Sequence, residues 1–274
     1  MGGRLICVLA VLVLTGCRLS QGNAPPVAPD AEAPAPARYH LAWVTPDGEL
    51  VRADVDFADP RTVAEGVYEA APSADGARVA YADSEEGVGW VNLLSGETER
   101  VAAPHTRDPW QHLAISPDGQ RVAYISMGRV KVWTRGRETI TIEGPRFCTS
   151  PAWAPDSTRL AVGTMAKKDA EDEDGGIWVW SGDGAAEHVV PAIKDGWGCT
   201  QQVMWSPDGE WLATARGAGD GWTGDLVKSD GSEIRRDAIG AGPIQWRPDS
   251  SGLLVSVHIE AGAFRTGYYD LVAD

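Results

Sequence analysis

The sequence predicts an all-β protein, a β-propeller of four-stranded antiparallel blades. Three observations carry this expectation: a Pro-Asp turn that recurs along the chain, a strand-like run behind each copy, and a second polar turn later in each unit. "SADGARVAYAD" begins at Ser73, "SPDGQRVAYIS" at Ser116, "APDSTRLAVGT" at Ala154, "SPDGEWLATAR" at Ser206 and "RPDSSGLLVSV" at Arg247. These starts lie 43, 38, 52 and 41 residues apart. Self-similarity at that period, with short strands only, is the signature of a propeller.

Each element of the unit has its own reason. Pro presets the backbone angle for the second position of a type I turn, and Gly suits the residue that closes it. Asp hydrogen-bonds neighbouring backbone amides. The run behind the turn, "RVAYIS" for example, is rich in β-branched and aromatic residues, as a strand requires. A short strand precedes the turn: "PAWA", "VMWS" and "IQWR". The second hairpin is visible in "GWVNLLSGETERVA", "RVKVWTRGRETITI", "GIWVWSGDGAAEHVV" and "GDLVKSDGSEIRR". A five-bladed ring, closed by an N-terminal outer strand, is expected, with six blades as the alternative. In that reading "HLAWVTPDGELVRAD", His40 to Asp54, supplies a third and a fourth strand.

These repeats resemble the TolB-like or PD40 branch of the WD40-like propellers, whose repeat reads approximately W-S-P-D-G-x-x-I-A-F. The resemblance runs from about Leu41 to the end of the sequence and implies a propeller. It implies little about activity, because the repeated residues serve turns and packing. TolB itself also carries a separate N-terminal α/β domain; a Pro/Ala-rich tether is expected in that place here, which counts against a TolB-like role.

The N-terminal stretch reads as targeting rather than fold. Arg4 precedes the apolar run "LICVLAVLVL", which is short for a membrane span. The run ends in "LTGC", which resembles the lipobox of bacterial lipoproteins. That resemblance implies residues 1–17 as a signal peptide and Cys17 as the lipidated residue. Residues 18–38, rich in Pro and Ala, form an extended tether, and residues 39–274 form the propeller. The expected location is the bacterial cell envelope, lipid-anchored on an extracytoplasmic or periplasmic face. Cys148 and Cys199 occupy nearly equivalent loops entering adjacent blades, and in an exported protein they are expected to pair as a disulfide or to stand as two buried thiols.

Charge narrows the partners. Against 24 basic residues stand 39 acidic ones, for a formal net charge of -15. Nucleic acid needs basic surface to displace its counterions, so none is expected as a partner.

The tryptophans divide into two sets. Trp153, Trp205 and Trp246 stand two residues before their turn prolines, and Trp90, Trp133, Trp178 and Trp180 fall on third strands. Flat side chains of this size fill the wedge between blades. Trp110, Trp197 and Trp222 read as loop residues and are candidate contacts.

The sequence carries no evident catalytic constellation. His40, His105, His112, His188 and His258 form no H-E-x-x-H pair and no zinc spacing with cysteine, and a G-x-S-x-G elbow is missing. The acidic loop "KKDAEDEDGG" places Asp172, Asp174 and Gly175 as a calcium loop would, but has Ala170 at the first ligand position and Ser181 at the last. No metal or cofactor is expected. The candidate binding residues are those of the loops entering the blades: His105, Arg107, Asp108, Trp110 and His112, with Arg146, Lys194, Asp195, Trp197 and Gln201. They are expected to ring one mouth of the central channel. The expected function is a lipid-anchored binding or scaffolding module for an envelope protein or a cell-wall glycan, the alternative being a glycan lyase or hydrolase acting at that mouth.

Overall fold

The turns set the architecture. In the computed structural model, which describes residues 11–12 and 40–271 apart from 55–56, 58, 85–86, 104–111, 148, 165–175, 183–184, 192–199, 219–220, 241 and 260–262, every described element is a strand or a turn between strands. Ser206 shows how one Pro-Asp turn works. Its hydroxyl donates to Asp208 Oδ1 at 2.5 Å and accepts from the Trp211 amide at 2.9 Å. Asp208 in turn accepts from the Glu210 amide at 3.0 Å. Gly209 closes the turn at φ +73°, where a side chain would be strained. Ser157 and Ser250 hold the same left-handed place as non-glycine residues, at φ 62° and 60°. Each donates its position to neighbour contact: their hydroxyls accept the amides of Asp118 and Asp208 from the preceding sheets, both at 3.0 Å.

Six antiparallel sheets result. The first holds β1 (Val11–Leu12), β2 (His40–Val44), β3 (Leu50–Asp54) and β4 (Arg61–Ala64). The second holds β5 (Val67–Pro72), β6 (Arg78–Asp83), β7 (Gly87–Asn92) and β8 (Thr98–Ala102). The third holds β9 (Leu113–Ile115), β10 (Arg121–Ser126), β11 (Arg129–Thr134) and β12 (Ile140–Thr141). The fourth holds β13 (Ala152–Trp153), β14 (Leu160–Thr164), β15 (Gly176–Trp180) and β16 (Glu187–Pro191). The fifth holds β17 (Thr200–Trp205), β18 (Trp211–Ala218), β19 (Gly221–Lys228) and β20 (Ile234–Arg235). The sixth has three strands, β21 (Gly242–Trp246), β22 (Gly252–Ile259) and β23 (Ala263–Asp270). Within the second to fifth sheets, chain order is spatial order.

This corrects the expected count of five. Thr45-Pro46-Asp47-Gly48 is a sixth copy of the turn: Gly48 N donates to Thr45 O at 2.9 Å, and Glu49 N to the Thr45 hydroxyl at 3.0 Å. The strands on either side of it, β2 and β3, therefore begin a sheet of their own and do not finish another. Val11 and Leu12 pair with Ala42 and Leu41 on the far edge of β2.

Hydrophobic clusters seal five successive contacts between sheets. Leu50, Val67, Val79 and Leu93 join the first and second. Trp90, Leu113, Val122 and Trp133 join the second and third. Trp153, Leu160 and Trp180 join the third and fourth through Val130 and Ile142. Val179, Trp205 and Leu212 join the fourth and fifth. Trp211, Leu226, Trp246 and Leu253 join the fifth and sixth. The tryptophans also bond across these contacts. The indole N–H groups of Trp153, Trp205 and Trp246 donate to the carbonyls of Ala114, Ala152 and Met204 on the preceding inner strands, at 3.2, 2.8 and 3.3 Å. Each ring is thus buried with its polar edge satisfied.

Candidate functional site at the channel mouth

Because the turn repeats, so does every position counted from it. The residues four places before the first turn residue are Leu41, Glu69, His112, Ser150, Gln202 and Pro243. They stand at or just before the inner strands of consecutive sheets, at the end opposite the Pro-Asp turns. From the second sheet to the fifth, this level is polar.

The polar arc is connected. Glu69 Oε1 accepts the Leu113 amide of the next inner strand at 3.1 Å. His112 Nδ1 lies 3.0 Å from the Ser150 hydroxyl, again across a sheet boundary. Burial pushes the Glu69 carboxyl up to about 7, against the Leu113 amide, which favours the charged form. Burial also raises the Tyr124 phenol, which faces the same boundary from β10.

Beyond Ser150 the arc opens into a cavity of about 570 Å³ between the fourth, fifth and sixth sheets. Ser150, Gln202, Ser256 and Trp222 line it, with Pro151, Val203, Ala215, Gly242 and Pro243 as its apolar wall. Trp222, on β19, is 40% exposed. Its strand is anchored three residues on. Buried Asp225 pairs with Arg236 at 2.8 Å and accepts the Asp237 amide at 2.9 Å, while the Thr223 hydroxyl donates to Asp237 at 2.8 Å. No charged side chain lines the cavity among the described residues.

Three inner strands carry bulges: β5 between Val67 and Glu69, β17 between Thr200 and Gln202, and β21 between Pro243 and Gln245. The inserted residues are Tyr68, Gln201 and Ile244. Tyr68 is 50% exposed and Ile244 43%. Bulges re-aim side chains and gather next to binding sites.

Of the candidates named from the sequence, His112 lies on the arc. Gln201 is the bulged residue of β17, and its neighbour Gln202 lines the cavity. Arg146 is exposed beside the Met127–Gly128 turn, in the loop that leads to β13. His105, Arg107, Asp108, Trp110, Lys194, Asp195, Trp197, Cys17, Cys148 and Cys199 lie outside the described residues. Glu69, Ser150, Gln202 and Ser256 escape a search for conspicuous loop residues. Counting back four places from each turn finds the first three. Among the described residues no group of three or more His, Cys, Asp or Glu side chains converges as metal ligands would.

No protein-family model matches the chain, and no curated protein matches it. Solved structures do. TolB from Acinetobacter baumannii is 15% identical with a TM-score of 0.54, the match covering 85% of this chain and 57% of that one. An oligogalacturonate lyase in complex with manganese is 14% identical with a TM-score of 0.58, covering 86% of this chain and 72% of that one. The oligogalacturonate lyase of Vibrio parahaemolyticus is 12% identical with a TM-score of 0.60, over the same shares. The chain thus spans little more than half the length of the TolB structure. At these identities the likeness is one of fold: the chain is an all-β propeller, a fold it shares with those TolB and oligogalacturonate lyase structures, and its own described residues form six antiparallel sheets.

Proposed function

We propose that the protein is a binding module of the bacterial cell envelope, and that its mouth cavity takes a neutral ligand rich in hydroxyl and amide groups, a cell-wall glycan above all. One observation carries this reading: an exposed indole, Trp222, borders a cavity whose other described polar groups, Ser150, Gln202 and Ser256, are all uncharged. Sugar rings offer an apolar face to an aromatic ring and hydroxyls to such donors and acceptors. An anionic chain would call for basic side chains, and the described lining has none. An envelope protein presenting an extended neutral segment would meet the same indole through a proline or aromatic ring.

The envelope address rests on the lipobox-like "LTGC". Cys17 is the proposed site of acylation, and burial of the acyl methylenes would hold the protein on a membrane surface. Cys148 and Cys199 are the proposed disulfide, which intact mass with and without reductant reads directly.

A second reading, a glycan lyase or hydrolase, draws on Glu69. A carboxyl raised to about 7 beside a channel suits proton transfer near neutral pH. Oligogalacturonate lyases among the similar structures keep this reading in view, although the manganese of one of them has no described ligand cluster here.

Calorimetric titration of the purified protein with neutral wall-type oligosaccharides tests the proposal. Saturable binding is expected, with a loss of about tenfold or more for Trp222→Ala, since stacking on an aromatic ring contributes on the order of 1–3 kcal/mol. Heat-silent titrations, or binding indifferent to Trp222→Ala, would overturn it. Appearance of cleaved or unsaturated products during the titration would favour the enzyme.

A further inference from the structure

Among the described residues, Ser150 is the cavity hydroxyl that meets a titratable hydrogen-bond partner, His112 Nδ1 at 3.0 Å. A hydroxyl has one proton to give and two lone pairs. If it gives its proton to a bare Nδ1, it can only accept from a ligand. If Nδ1 carries a proton and donates to Oγ, the hydroxyl proton turns to the cavity.

We infer that His112 is a specificity-determining, positioning residue: neutral, it takes the Ser150 proton at Nδ1 and leaves the cavity an acceptor, and charged, it donates to Ser150 and leaves the cavity a donor. The inference rests on the proposed reading of the cavity as a ligand site. It names which ligand group meets Ser150. A hydroxyl or amide N–H is met when His112 is neutral, and an acetamide carbonyl or ring oxygen when it is charged. The exchange costs the fold little, because the Ser150–His112 bond is kept and only its direction reverses.

The groups around His112 bear on the test. Among the described residues, Glu69 on β5 bonds the amide next to it, Tyr124 on β10 pairs with Leu113, and Arg146 stands on the loop toward β13. Glu69 itself titrates close to neutrality. A pH profile must therefore be taken in the Glu69→Gln background as well as in the native protein.

The first test needs no ligand. Nitrogen-15 NMR of the imidazole at high pH distinguishes a bare Nδ1 from a protonated one. A bare, accepting Nδ1 is expected, and a protonated Nδ1 in the neutral ring overturns the inference whatever the cavity binds. The second test uses N-acetylglucosamine oligomers between pH 5 and 8. Their affinity should change by about tenfold between the ends of that range, the effect of one hydrogen bond gained or lost. Ser150→Ala and His112→Gln should each flatten the profile while each keeps its own fold by circular dichroism. A His112 that served packing alone would lower affinity equally at every pH, and a profile that survives His112→Gln in the Glu69→Gln background sinks the inference. Absence of any oligomer binding would overturn the proposed function and leave the NMR result to judge His112.

Discussion

Arg159 reaches across a sheet boundary to lie over Trp205, its guanidinium carbon 4.7 Å from the ring centroid. The same guanidinium donates to Gly209 O at 3.1 Å and to the Ser229 hydroxyl at 3.2 Å, and pairs with Asp156 at 2.9 Å on its own turn. One side chain thus ties the fourth turn to the fifth. Arg78 and Arg121, at the equivalent places, reach Asp118 O and Ser157 O at 3.3 and 3.0 Å. Arg159→Ala should lower unfolding stability by about 1–3 kcal/mol, the sum of a partly desolvated cation–π contact and two charge-assisted hydrogen bonds. Arg159→Lys should recover less than half, because an ammonium cannot stack flat and fork at once. Urea unfolding of the two variants checks both values.

Glu69 gives the fold a pH dependence of unusual direction. Its carboxyl is neutral in the folded protein up to about pH 7 but ionises near 4.5 when unfolded. Between those values the folded state holds the extra proton, so raising the pH removes stability. The contribution is complete below pH 4.5 and gone above about 7. Glu69→Gln keeps a neutral, similarly shaped group and should erase the slope. At pH 8 it should be more stable than the native protein, by on the order of 2 kcal/mol. Thermal unfolding of both proteins at pH 5 and pH 8 measures it, and an unchanged slope in Glu69→Gln would refute the assignment.

The turn serines were legible in the sequence and so was the sheet each turn begins. What was misread follows from the same rule. Thr45 replaces serine in the sixth copy, and the unit behind it is short, with only 28 residues from Thr45 to Ser73. That spacing hides a sheet whose β4 leads straight into β5. The site was harder, for a physical reason. Its residues are ordinary types, Glu69, Ser150 and Gln202, made notable by registration around an axis. Periodicity along the chain reveals that registration only once the turn is taken as the origin. The charged and aromatic loop residues drew attention first, yet of those described only His112 joins the arc and only Trp222 borders the cavity.

Ser206 measures how much one turn matters. Its hydroxyl is fully buried and holds both the Asp208 carboxylate and the Trp211 amide. Ser206→Ala leaves that amide without its partner and frees Asp208 from its orientation, and should cost about 1–2 kcal/mol. Sheet four shows what makes the loss tolerable: Ala154 occupies this place, and the Thr158 hydroxyl bonds Asp156 at 2.8 Å instead. The double variant Ser206→Ala with Glu210→Thr, which moves a hydroxyl to that second place, should recover part of the loss in denaturant midpoint.

Gly89 lies opposite Tyr81 in the second sheet, and the two form a pair that only glycine permits. A Cβ at position 89 would stand 2.2 Å from Tyr81 Cζ and 2.7 Å from Cε1. The tyrosine ring lies across the glycine, and it is buried against the first sheet beside Val79 and Leu50. To make room, the ring would have to shift within its contact with that cluster. Gly89→Ala should therefore destabilise the fold by about 2–3 kcal/mol, although alanine suits a strand backbone better than glycine does. Adding Tyr81→Ala removes the obstacle. The double variant should show a coupling of about 1–2 kcal/mol against the sum of the singles, the mark of residues in direct contact. Additive losses in urea midpoints would mean that the ring yields freely and that Gly89 is not a packing requirement.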